Sequence, residues 1–153
     1  MTDSRISAAA RDPHEDPLRV LVVDDDDVNR RVAEAILIEF GCAVTLAATG
    51  EEAVEDAFLQ PFDLVVMDLH MPGIGGDEAT RQIRRLSASR SAFIARWTTD
   101  TPSRLDAGLY DGELPKPITF DALWDAVSES RRRSRNRSED QKDRCDAPRR
   151  PLN

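Results

Sequence analysis

Leu64 to Gly73, LVVMDLHMPG, reads as a hydrophobic strand that ends in a single carboxylate, Asp68. An earlier run, RVLVVD, ends in an adjacent pair, Asp24 and Asp25. Two later runs end in a hydroxyl, Thr98, and an amine, Lys116. Mg²⁺ is a hard, octahedral ion, usually held by one or two carboxylates plus phosphate and water. Asp24 or Asp25, together with Asp68 and a backbone carbonyl near His70, can supply such a shell. A carboxylate is also a nucleophile toward phosphorus and can form an aspartyl phosphate. Asp68 stands alone, which suits a nucleophile; the adjacent pair suits a metal clamp. The metal, Lys116 and the Thr98 hydroxyl would share the charge of a transferring phosphoryl group.

These groups meet only if the elements that carry them are parallel strands. Residues 19–24, 43–47, 62–67 and 92–98 are short runs rich in apolar residues, and Leu114 marks a shorter fifth run. Helical patterns lie between them. Val28, Val32, Ile36, Leu37 and Phe40 recur at helical spacing before Gly41. Thr49 and Glu52 form a capping box that opens a helix with Ala53, Ala57 and Phe58 on its inner side. A helix over about 77–86 places Ala79, Ile83 and Leu86 inward. Thr119 caps a last helix carrying Phe120, Leu123, Trp124 and Val127. Between Thr98 and Lys116 there is room for one or two helical turns, with Pro102 near their start. This alternation predicts a doubly wound α/β fold, a five-stranded parallel sheet with helices on both faces. Ligands of such sheets gather at the carboxyl ends of the strands. Asp24, Asp25, Asp68, Thr98 and Lys116 all fall there.

Composition narrows the class. No apolar run approaches the roughly 20 residues that span a bilayer, and the first residues hold no apolar segment of signal-peptide length. Both observations predict a cytoplasmic protein. Cys42 sits in an apolar context and Cys145 in a polar one, which fits separate thiols in a reducing compartment. The net charge of −8 conceals an asymmetry. Residues 131–153 hold eight Arg and one Lys against four acids, a net of +5, so the remainder carries −13. The acidic bulk argues against nucleic-acid binding by the folded part. Three segments follow: a flexible stretch over 1–17, one domain over 18–130, and a flexible basic tail over 131–153.

With VVDDDD, VVMDLHMPG, Thr98 and the Lys116-Pro117 pair in hand, the chain resembles the receiver domains of response regulators, the CheY-like family, over residues 18–130. The EATRQIR stretch resembles receivers attached to hybrid histidine kinases. The resemblance implies Mg²⁺ as cofactor and a cis Lys116–Pro117 bond. It also implies a phosphoryl group taken from a histidine kinase or a phosphotransfer protein, and a signalling protein rather than an enzyme. Three features depart from the family pattern. Glu113 stands where an aromatic switch residue usually precedes the lysine by three, and Tyr110 is out of register. Gly75 replaces the usual loop Asp. The segment between Thr98 and Lys116 is short, so the helix expected there is truncated or lost.

Arg131, Arg132, Arg133, Arg135 and Arg137 crowd into seven residues after the last apolar pattern. Guanidinium forks bind phosphate in bidentate fashion and match the O6 and N7 edge of guanine. Arg137 and Asp140 form an R-x-x-D that resembles a cyclic di-GMP motif. A receiver with an arginine-rich extension is similar to the CheY-like cyclic di-GMP effectors. That resemblance implies the second messenger as ligand and an output by protein contact, for example at the flagellar motor switch. The alternative is a receiver driven by phosphorylation of Asp68, with an inert tail.

Overall fold

The computed structural model describes residues 16–86, 88–99 and 108–145. Its elements run β1 (Arg19–Val23), α1 (Asp27–Glu39), β2 (Ala43–Ala47), α2 (Gly50–Leu59), β3 (Leu64–Asp68), α3 (Gly76–Leu86), β4 (Phe93–Thr98), β5 (Gly112–Pro115) and α4 (Phe120–Cys145). The strands form one parallel sheet in the order β2-β1-β3-β4-β5. Strand order reverses between β1 and β3, and their last residues, Val23 and Asp68, flank the crevice that such a switch point opens. No helix among the described residues is long and apolar enough to cross a membrane.

The central strands are buried on both faces, so their side chains alternate between two cores. Val20, Val22, Leu64, Val66, Ala95 and Trp97 pack under α1 and α4. Leu21, Val23, Val65, Met67 and Ile94 pack under α2 and α3. On α1 the buried stripe is Ala33, Leu37 and Phe40, with Ile36 beside it. Val28 and Val32 belong to the helical pattern of the sequence but turn outward, 67% and 45% exposed. On α2, Ala53 and Ala57 are buried, whereas Phe58 points out at 66% exposure, against expectation. A period of 3.6 leaves the phase of a stripe open at its edges, and small alanines take the close helix–sheet contacts here. Ala79 and Ile83 face inward from α3; the Leu86 side chain lies outside the described part. Leu123 and Val127 are buried, and Phe40 packs edge-on against Phe120 and Trp124.

The two threonine caps are those the sequence calls for, and the structure adds a third at Asp26. The Glu52 amide donates to Thr49 Oγ1 at 3.1 Å, and Glu52 Oε2 accepts from the Ala48 amide at 3.0 Å. The Ala122 amide donates to Thr119 Oγ1 at 3.2 Å. Asp26 caps α1, accepting from the amides of Val28 and Asn29.

The C-terminal stretch departs from expectation. The apolar pattern does stop after Ser130, whose hydroxyl donates to the Asp63 carbonyl at 2.8 Å. The backbone nevertheless stays helical to Cys145, where a flexible tail was expected from residue 131. Residues 131–147 contain no Gly or Pro, and Arg, Glu, Gln and Lys are good helix formers. Glu129 pairs with Arg132 and Arg133 at helical spacing. Residues 146–153, the expected flexible residues 1–15, and the segment 100–107 expected to hold helical turns all lie outside the described residues.

Candidate functional site

β1 and β3 run side by side and deliver Asp24 and Asp68 to the same end of the sheet. Both are buried, at 0% and 3% exposure, while Asp25 is exposed. Carboxylate oxygens of Asp24, Asp25 and Asp68 lie within 4.8 Å of one another. β5 ends at Pro115, and the next residue, Lys116, reaches back over the sheet. Its ammonium donates to Asp24 Oδ2 and to Asp68 Oδ1, each at 2.9 Å, and lies 4.9 Å from the centre of the Trp97 ring. The Lys116 amide donates to the Thr98 carbonyl at 3.2 Å, and Thr98 is itself buried. The Lys116–Pro117 bond is cis, as the resemblance implies.

Three carboxylates therefore face one ammonium, a surplus of two negative charges on hard oxygen donors. That donor set suits Mg²⁺. Burial pushes the Asp68 carboxyl up from its ordinary pKa; Asp24 adds to this, and the Lys116 hydrogen bond opposes it. For Lys116, burial works against the ammonium, but its bonds to Asp24 and Asp68 outweigh it and raise the pKa.

The loop after β3 is tightly constrained. A Cβ at Gly76 would lie 2.2 Å from the Asp68 carbonyl oxygen, so only glycine lets α3 start against the strand end. Gly73 has φ +82°, in the left-handed region. His70 is exposed, and its amide faces Asp68 Oδ1 at 3.4 Å.

Other residues of the site escaped the sequence reading. Asn29 Nδ2 donates to Asp24 Oδ2 at 3.2 Å, and Arg30 donates to the Asp24 carbonyl at 2.6 Å. The signal for both was the Asp26 cap. It fixes where α1 begins and so turns its first-turn side chains back onto the end of β1. Beside Thr98, the position of the missing switch aromatic is filled by an ion pair. Arg96, buried on β4, donates to Glu113 Oε1 at 2.8 Å. The Tyr110 hydroxyl instead donates to Asp77 Oδ1 at 2.6 Å; burial and this bond push the phenol far above its usual pKa. Of the segment between β4 and β5 only residues 99 and 108–111 are described, and these are not helical.

The arginines of α4 sit at the other end of the sheet. Arg131 donates to the Phe40 carbonyl at 2.8 Å. Arg133 donates to Asp111 Oδ1 at 2.9 Å and lies over the Phe93 ring. Arg137 donates to Ser91 Oγ at 2.6 Å. Arg132 pairs with Glu129, and Arg135 and Asp140 are exposed. The Arg133 and Arg137 contacts border the start of β4, and its six residues separate them from Thr98 by about 17 Å. The structure thus keeps the acid site and the arginine cluster apart.

The family model of the response regulator receiver domain matches residues 20–128. The chain belongs to that family. Among solved structures, this receiver is similar to the chemotaxis protein CheY4 of Vibrio cholerae (28% identity, TM-score 0.69, 75% of this chain and 99% of that one). It is also similar to the receiver domain of the Pseudomonas aeruginosa sensor histidine kinase PA1611, solved with a magnesium ion coordinated in its active-site cleft (33% identity, TM-score 0.68, 74% and 97%). Among curated proteins it is similar to the autoinducer 1 sensor kinase/phosphatase LuxN of Vibrio campbellii, 36% identical over 68% of this chain and 12% of LuxN. The chain spans 7–20% of the length of the curated relatives it matches.

Proposed function

We propose that this receiver accepts a phosphoryl group on Asp68 from a phosphohistidine of a histidine kinase or a phosphotransfer protein. The carrying observation is the Lys116 ammonium, bonded at 2.9 Å to both Asp24 and Asp68 inside a cluster of three carboxylates. A relative with a coordinated magnesium ion, and sensor kinases among the curated relatives, support the same reading. In the transfer, the phosphorus–nitrogen bond of the donor breaks and a bond to an Asp68 oxygen forms. The donor imidazole keeps the electron pair and takes a proton from solvent.

Asp24, Asp25 and Asp68 would hold Mg²⁺, which supplies charge neutralisation for the phosphoryl oxygens when bound. Asp68 is the attacking carboxylate. Lys116 is placed to leave its two carboxylates for the phosphoryl oxygens, and the Thr98 hydroxyl to donate to them. The chain turns over no substrate in this role; its output is contact with another protein. Acetyl phosphate with MgCl₂, read by intact mass, tests the reading. The expected result is the gain of one phosphoryl group, lost in Asp68→Asn and lost with excess EDTA. A gain that survives Asp68→Asn refutes it.

A second reading gives the arginine cluster to cyclic di-GMP, with the flagellar motor switch as one candidate target. The observation in its favour is that Arg137 and Asp140 stand one turn apart on α4, both exposed. Binding there would compete with the Arg137–Ser91 bond. Titration with cyclic di-GMP tests it, with Arg133, Arg135 and Arg137 replaced by Ala as the comparison. No binding at micromolar ligand, or equal binding by both proteins, removes this reading.

A further inference from the structure

Asp24 is fully buried, and both its oxygens are occupied. Oδ1 accepts from the Asp26 amide at 2.8 Å. Oδ2 accepts from Lys116 at 2.9 Å and from Asn29 at 3.2 Å. The group facing Asp24 must be the NH₂ of Asn29, because an ionised carboxylate only accepts hydrogen bonds. Asn29 is the third residue of α1 and would be free to point into water. It turns instead toward the end of β1, while the neighbouring Arg30 pins the Asp24 carbonyl from the same helical turn.

The two donors on Asp24 Oδ2 differ in kind. Lys116 is shared with Asp68 and, on the acceptor reading above, is the donor that phosphoryl oxygens would draw away. Asn29 is neutral, sits on a capped helix, and spends its side-chain amide on Asp24. We infer that Asn29 is a positioning residue: its amide keeps the Asp24 carboxylate aimed at the metal when Lys116 leaves it for the phosphoryl group. This inference rests on the acceptor reading above and adds a role that the acid cluster alone does not assign.

The test is a double-mutant cycle on Mg²⁺ affinity in the full chain. MgCl₂ is titrated into ¹⁵N-labelled protein, and the amide shifts around Asp25 and His70 are followed. The four proteins are wild type, Asn29→Ala, Lys116→Met and the double variant. Ala is a better helix former than Asn, so α1 is expected to survive; thermal unfolding checks this. With Lys116 present, Asn29→Ala should weaken Mg²⁺ binding about twofold, because Lys116 still holds Asp24. In the Lys116→Met background the same change should weaken it about tenfold, the weight of one hydrogen bond to a charged group. Equal factors in the two backgrounds, or no effect in either, overturn the inference, since a merely structural role does not depend on Lys116. The titration reads Asn29 whether or not Asp68 takes phosphate. Failure of the acceptor reading shows separately, as absence of the mass gain in wild type.

Discussion

Glu113 occupies the position where the family pattern places an aromatic residue, and its removal should be costly. The Arg96 side chain is 7% exposed and donates to Glu113 Oε1 at 2.8 Å, while its Nε has no partner among the described residues. Glu113→Ala leaves a buried guanidinium without its counter-charge. Breaking a buried pair from one side costs about 3–5 kcal/mol. Glu113 is 25% exposed, so water can enter the gap and relieve part of the loss. The expected cost is therefore about 2–3 kcal/mol, or roughly 8–12 °C in Tm for a domain of this size. Replacing both partners, Arg96→Met with Glu113→Leu, removes the charge and fills the volume. That double variant should fall within about 1 kcal/mol of wild type. Urea unfolding followed by circular dichroism at pH 7 measures both. A double variant as unstable as Glu113→Ala, or a single variant within about 0.5 kcal/mol of wild type, refutes the account of Arg96 as a charge that needs its partner.

Three further outcomes are expected. Burial pushes the Asp111 carboxyl up, but bonds from the Ile94 amide, Arg133 and Arg84 outweigh this and lower its pKa. Its contribution is thus fully present above roughly pH 5 and lost as pH falls below about 4; Asp111→Asn should destabilise at pH 7 and match wild type in acid, by urea titrations at both pH values. Asp68 is shifted the other way, so its ionised form is less well accommodated in the folded chain than in the unfolded one. Asp68→Asn should therefore raise Tm at pH 7, with the gain vanishing in acid where the wild-type carboxyl is protonated, as scanning calorimetry across pH would show. Gly76→Ala forces a Cβ toward the Asp68 carbonyl oxygen, 2.2 Å away, so the loop must shift; we expect a loss of at least about 2 kcal/mol in urea unfolding and slower phosphorylation by acetyl phosphate.

The sheet and its acid cluster were legible because strand ends announce themselves. Asp24, Asp68 and Thr98 each close a run of buried apolar residues, and Lys116 is marked by the proline after it. Which end of the sheet they share follows from the parallel topology alone. The supporting shell was not legible, because it joins residues of ordinary surface types across the chain. Arg96 and Glu113 are 17 residues apart, and Asp111 meets Arg84 and Arg133 at 27 and 22. Nothing in an isolated Arg or Asp says which distant partner it will meet. Phe58 faces outward against expectation for a related reason: helical spacing gives a stripe but not its edge. The arginine stretch reads as a loose end in the sequence because its apolar pattern stops. A helix needs an apolar stripe only where it packs, and past Ser130 good helix formers and ion pairs suffice.

That helix bears on how the two ends of the molecule relate. α4 begins four residues after Lys116, and its middle stretch, Arg131 to Arg137, is tied to the body at Phe40, Asp111 and Ser91. Asp111 in turn holds Arg84 of α3 and the Ile94 amide of β4. The acid site and the arginine cluster are therefore joined by packed helix and strand rather than by a slack linker. A ligand or partner that takes Arg133 for itself must release Asp111 and leave Arg84 as that carboxylate's remaining arginine. The energy of any such contact is consequently set partly by the receiver body, and an isolated peptide spanning residues 131–145 would not reproduce it.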